Sequence, residues 1–183
     1  EEDEHHHEGL DPHVWMNPLN VATWTDAIAN TLSELDPDNA ADYAANAAAY
    51  RAELEELDAW ATEGISAIPA EQRLLVTDHD ALAYFADHYG FEVVGAVRPS
   101  YSALGEPSAA DLAALHGAIA EYDVPAIFVG TTVNPDLAAQ LAEDTGVELV
   151  PIYTGALSAD DGPAASYLDL FRYDVQAIVD ALR

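Results

Sequence analysis

Cysteine is absent from this chain, and so is lysine; its only basic residues are five arginines, set against 34 Asp and Glu for a net charge of -29. Without thiols there is no disulfide framework and no thiolate zinc site, so any metal falls to His, Asp or Glu. A surface of that sign repels phosphate, which excludes nucleic acid as a partner. No apolar run is long enough to span a bilayer, and no basic segment precedes an apolar one in the manner of a signal peptide. The chain opens on Glu1 rather than Met, so the natural start, and any targeting or anchoring segment, is expected upstream. His-Glu-x-x-His, a Gly-rich phosphate loop and Gly-x-Ser-x-Gly are all missing, which removes the usual signatures of a zinc hydrolase, a nucleotide enzyme and a serine hydrolase. Charge repulsion on this scale destabilises a fold at low ionic strength, and the acidity reads as adaptation to salt, as in a halophile.

Half of the 183 residues are apolar, enough for one good core and an appendage. Val21, Trp24, Ile28 and Leu32 recur at helical spacing between Pro18 and Asp36-Pro37, predicting an amphipathic helix. From Asn39 to Ala67 no Pro intervenes, and Tyr43, Ala47, Tyr50, Leu54, Leu57 and Ala61 repeat on one face. That predicts a continuous helix about 40 Å long, a strut reaching past a small domain. After Pro69 the runs LLVT (74–77), EVVGAV (92–97), AIFV (126–129) and LVPIY (149–153) alternate with helical stretches. Such alternation predicts an α/β unit over 69–183: a four-stranded parallel sheet with flanking helices, its strands in the order of their appearance along the chain. Residues 1–38 then hold the His-rich run and the first helix, and 39–68 the strut.

Imidazole, the commonest transition-metal ligand side chain, occurs in two suggestive places. His5, His6 and His7 sit in the acidic run EEDEHHHEG, which taken alone reads as a solvated tail. His13 lies between Pro12 and Trp15, where that run gives way to a helix start. His79 follows the strand 74–77 at the start of the next helix, at a strand's carboxyl end where ligands of parallel sheets gather; the bland alternative is a helix cap supplied by Asp78 or Asp80. His88 and His116 lie among charged and small residues and read as surface decoration, while Trp24, Trp60, Tyr84 and Phe85 have the spacing of core packing.

The stretches DPHVWMNPLN, VTDHDALAYFADHYG, GEPSAADLAAL, AIFVGTTVNPDLAAQLAEDTGV and SYLDLFRYDVQAI resemble the carboxyl-terminal two thirds of the cluster A-I zinc and manganese substrate-binding proteins of ABC transporters. The resemblance implies two α/β lobes bridged by one long helix, with the metal between them and the amino-terminal lobe largely missing from this chain. It implies that His13, in the Asp-Pro-His-x-Trp motif, and His79 are metal ligands. A His rather than a Glu at position 79 is similar to the zinc-binding branch, as is the His-rich insertion of which His5, His6 and His7 would form the mobile loop. Two departures stand out. The first His ligand of the family would lie upstream of Glu1, and the Asp of the turn after the last strand is replaced by Gly155 in YTGALS, leaving a place for water, a loop His, Asp160 or Asp161.

The expectation is therefore a binding protein rather than an enzyme. It captures Zn²⁺ outside the cytoplasm, at the cell surface or in the periplasm, and delivers it to an ABC permease and its ATPase. When complete it is a monomer held to the membrane only by an upstream lipid anchor. Mn²⁺ is the less favoured ion; a metal-dependent hydrolase and a surface adhesin with a structural metal are the competing classes. Because ligating imidazoles are neutral, affinity should fall as pH drops through the ordinary imidazole range near 6.5.

Overall fold

The computed structural model describes residues 10–101 and 107–183. The described chain opens with a short 3-10 turn, Val14–Met16, and then α1 (Pro18–Leu35) and α2 (Ala40–Ile65). Asn17 starts α1 by accepting the Leu19 N–H with its side chain, and Pro18 takes the first helical position, where no backbone donor is needed. Asp36-Pro37 ends that helix and a 3-10 turn, Pro37–Asn39, leads into α2. At 26 residues α2 is about 39 Å long, as its unbroken periodicity predicts. Its buried positions Ala47, Leu54, Leu57, Ala61 and Ile65 keep the 3–4 spacing, and it packs against both α1 and α6 (Tyr167–Ala181).

The sheet consists of β1 (Leu74–His79), β2 (Glu92–Arg98), β3 (Ala126–Gly130) and β4 (Glu148–Ile152), linked by α3 (Ala83–Tyr89), α4 (Ala109–Tyr122) and α5 (Asp136–Thr145). All three strand pairings are parallel. Their order is β2-β1-β3-β4 rather than the order of appearance. The reason is two-sided coverage. Right-handed crossovers that always advance in one direction place every helix on the same face, whereas a reversal after β2 delivers the later helices to the other. The cores record this: Leu75, Phe128, Val150 and Ile152 pack with residues of α2, α3 and α6, while Val76, Val97, Ile127 and Val129 pack with α4 and α5. Successive residues of a strand point to opposite faces, so Leu75 and Val76 join different cores.

Two further expectations change. β1 continues through His79 and α3 begins only at Ala83, with Leu82 as N-cap and no side-chain cap bond, so neither Asp78 nor Asp80 caps that helix. Of the aromatic residues assigned to packing, Phe85 is fully buried, but Trp24 is 43% and Trp60 36% exposed. Trp60 instead lies under the Arg172 guanidinium, 5.8 Å from its ring centre. Trp24 shares the open side of α1 with Ile28, Leu32 and Leu35, and a shallow apolar groove runs between Ile28, Leu32, Tyr43 and Tyr50 of α1 and α2.

Candidate metal centre

The reversal in strand order falls between β1 and β3, and a parallel sheet binds ligands in the crevice outside the carboxyl ends of the strands at such a point. His79 is the last residue of β1. His13 immediately precedes the turn Val14–Met16, and that turn packs on α3. The two imidazoles meet there: their ring centres are 5.2 Å apart and their planes 70° from parallel. Both are buried, His13 at 7% and His79 at 4% exposure.

Each ring is tied by one nitrogen to a carboxylate. His13 Nδ1 lies 2.8 Å from Asp11 Oδ1, which also accepts the His13 backbone N–H at 2.9 Å, a local loop closed across Pro12. His79 Nδ1 lies 2.9 Å from Asp78 Oδ2, while Asp78 Oδ1 accepts the Gly130 N–H from the end of β3 at 3.0 Å. An ionised carboxylate only accepts hydrogen bonds, so against one Nδ1 is the donor, and in a neutral ring the lone pair then lies on Nε2. No hydrogen bond among the described residues engages either Nε2.

Trp15 holds the amino-terminal segment to the sheet. Its indole Nε1 donates to the Thr154 carbonyl just past β4 at 3.1 Å, its own carbonyl accepts the Tyr167 hydroxyl at 2.7 Å, and its ring meets His13 edge-on at 5.4 Å. Tyr84 adds a bond from α3 to the Asp11 carbonyl at 3.3 Å. Asp174, buried in α6, accepts the Tyr153 N–H at 2.7 Å. Burial raises its carboxyl to about 8, a shift that this N–H bond reduces. Burial likewise pushes the Tyr167 hydroxyl far above its ordinary range.

Of the other histidines, His88 is more than decoration: its Nε2 lies 2.7 Å from Asp58 of α2, which also accepts the Tyr89 hydroxyl at 2.8 Å. His116 is exposed on α4. Asp160 and Asp161 are exposed, and among the described residues no group of three or more His, Asp or Glu is placed to hold an ion. His5, His6 and His7 lie outside the described residues. Sequence reasoning passed over Asp11 and offered Asp78 only as a helix cap, although each stands within two positions of a candidate ligand in Asp-Pro-His and Asp-His.

A sequence model of the family described as zinc-uptake complex component A, periplasmic, matches residues 1–181. The chain belongs to that family. Among similar proteins, the high-affinity zinc uptake system protein ZnuA of Paracoccus denitrificans is 39% identical over 178 residues, covering 95% of this chain and 52% of its own length. The manganese-binding lipoprotein MntA of Halalkalibacterium halodurans is 36% identical over 176 residues, covering 96% of this chain and 58% of its own. The chain thus spans between half and three fifths of these curated relatives. The periplasmic zinc-binding protein TroA of Treponema pallidum superposes with a TM-score of 0.85 at 29% identity, over 94% of this chain and 64% of that one. An Mn-bound periplasmic metal-binding protein from Candidatus Liberibacter asiaticus superposes at 0.86 with 28% identity, over 100% of this chain and 66% of that one. The four-stranded parallel sheet with flanking helices is thus the zinc-uptake component A fold.

Proposed function

We propose that this protein captures Zn²⁺ outside the cytoplasm and delivers it to an ABC importer. The observation that carries the reading is the pair of buried imidazoles, His13 and His79, brought from sites 66 positions apart to face one another at the switch point of the sheet. Each buried imidazole needs a polar partner for its second nitrogen, and a cation shared between the two rings would meet that need for both. With each Nδ1 engaged by a carboxylate, each ring has Nε2 as its remaining ligand atom, and ring centres 5.2 Å apart are close enough for one ion with Zn–N bonds of about 2.0–2.1 Å to bridge them.

Zinc is favoured over manganese by ligand type, since imidazole suits Zn²⁺ whereas Mn²⁺ prefers carboxylate, carbonyl and water. Gly155 brings no side-chain oxygen to the turn after β4, which leaves a place for water, a loop His or a nearby carboxylate. His5, His6 and His7, in an acidic run, would raise the local concentration of metal without fixing its geometry. The proposed partners are an ABC permease with its ATPase, and the proposed location is the cell surface or periplasm, with a lipid anchor. No helix among the described residues is long and apolar enough to cross a membrane.

Calorimetric titration of the metal-free protein with zinc, then with manganese, at pH 7.5 tests the choice of ion. Zinc binding that excess manganese does not displace is expected; tighter binding of manganese would overturn the choice of cargo.

A further inference from the structure

Asp78 is 1% exposed, and its carboxylate is shared between two strands. One oxygen takes the His79 Nδ1–H at 2.9 Å and the other takes the Gly130 N–H at 3.0 Å. Burying a carboxylate is costly unless its charge is met by donors, and here the donors are a candidate ligand and the carboxyl end of the neighbouring strand. The contact continues beyond Gly130. A β-carbon there would lie 2.6 Å from Thr154 Oγ1 and 3.7 Å from Asp78 Oδ1, so only glycine lets Thr154 close on the β3 backbone. Thr154 in turn gives its carbonyl to the Trp15 indole, whose ring abuts His13. Bonds and close contacts therefore run from His79 through Asp78, Gly130, Thr154 and Trp15 to His13.

We propose that Asp78 is the positioning residue of the metal centre, fixing His79 as the Nδ1–H tautomer with Nε2 free for the ion, and tying that ring through Gly130 and Thr154 to the Trp15–His13 side. The inference rests on the proposed function for its consequence, since a preset lone pair matters only if an ion takes it. Its structural half stands alone. A neutral imidazole in water carries its proton mainly on Nε2, so an Nδ1–H form at His79 reports that the bond to Asp78 has selected the rarer tautomer. Asp11 does the same for His13 by a purely local route, which makes the two carboxylates separable.

The test uses nitrogen-15 NMR of histidine side chains in the metal-free chain at pH 8.5, together with zinc titration. In the wild type both His13 and His79 are expected as Nδ1–H. Asp78→Asn should abolish that signature at His79, leave it at His13, and weaken zinc binding about 10–100-fold, the range seen when the outer partner of a ligating histidine is removed. Asp11→Asn should act on His13 instead. Asp58→Asn, which breaks the separate pair with His88, should leave zinc affinity unchanged. A wild-type His79 carrying its proton on Nε2 would overturn the proposal without need of any variant. So would a folded Asp78→Asn protein that keeps both the tautomer and the affinity. A chain that shows the Nδ1–H signature but binds no zinc would refute the proposed function and leave the bond from Asp78 to His79 supported.

Discussion

Asp174 shows how one buried group ties the stability of the site's surroundings to pH. Its carboxyl is 1% exposed, one oxygen accepts the Tyr153 N–H, the other has no partner, and burial raises it from 3.8 to about 8. The folded protein therefore holds a proton on this group between about pH 4 and 8 that the unfolded chain has released. Stability from this residue is full below pH 4, falls as pH rises through that window at up to about 1.4 kcal/mol per pH step, and levels off above 8. Asp174→Asn keeps an acceptor for Tyr153 and loses the titration. Urea unfolding at pH 5 and pH 8 should show the variant gaining on the wild type by a few kcal/mol at the higher pH; an equal difference at both would contradict this. At the same scale, His13 and His79 were legible because imidazoles stand out in a chain with so few basic groups and each sits at the boundary of an element. The pairing of Asp11 and Asp78 with those rings was not, and Asp78 was read only as a helix cap, because with 34 acidic residues one carboxylate looks like any other until a fold gives it a partner. Asp174 was hidden inside an amphipathic helix pattern that it interrupts.

Among the elements, α2 was read almost to its ends because helical periodicity survives over 26 residues with no Pro to interrupt it. Leu54, fully buried in its middle, tests whether that face is held as tightly as the spacing implies. Leu54→Ala should cost about 2–5 kcal/mol in urea unfolding, the range for a large side chain removed from a close-packed core. A loss under about 1 kcal/mol would mean that the face is free to collapse. The strands were equally plain as apolar runs, but their order was not: a run of Val, Ile and Leu says that both faces are covered, not which neighbour it pairs with. The sequence before β3 contains a helix either way, and only packing α4 and α5 on the face opposite α3 requires the chain to return past β1. The same blindness misplaced Trp24 and Trp60, since helical spacing identifies a face without identifying what lies against it.

Charge dominates the behaviour of the whole molecule. At -29 on 183 residues the folded state concentrates like charges that the unfolded chain spreads apart, and salt screens them over a Debye length of about 3 Å at 1 M against about 10 Å at 0.1 M. The melting temperature should rise steeply between 0.1 and 2 M NaCl; a flat profile would remove the reading of the acidity as salt adaptation. So high a negative charge attracts divalent cations to the molecule as a whole, and bulk attraction has to be separated from specific capture by working in high salt. The central claim is that His13 and His79 hold one ion between them. It is tested most directly by zinc calorimetry in 2 M NaCl on the wild type and on His79→Ala. The account predicts one tight site in the wild type and an affinity lower by about 100-fold or more in the variant, beyond the 10–100-fold expected for an outer partner because a ligand itself is lost. Equal zinc affinity in the two proteins would contradict it.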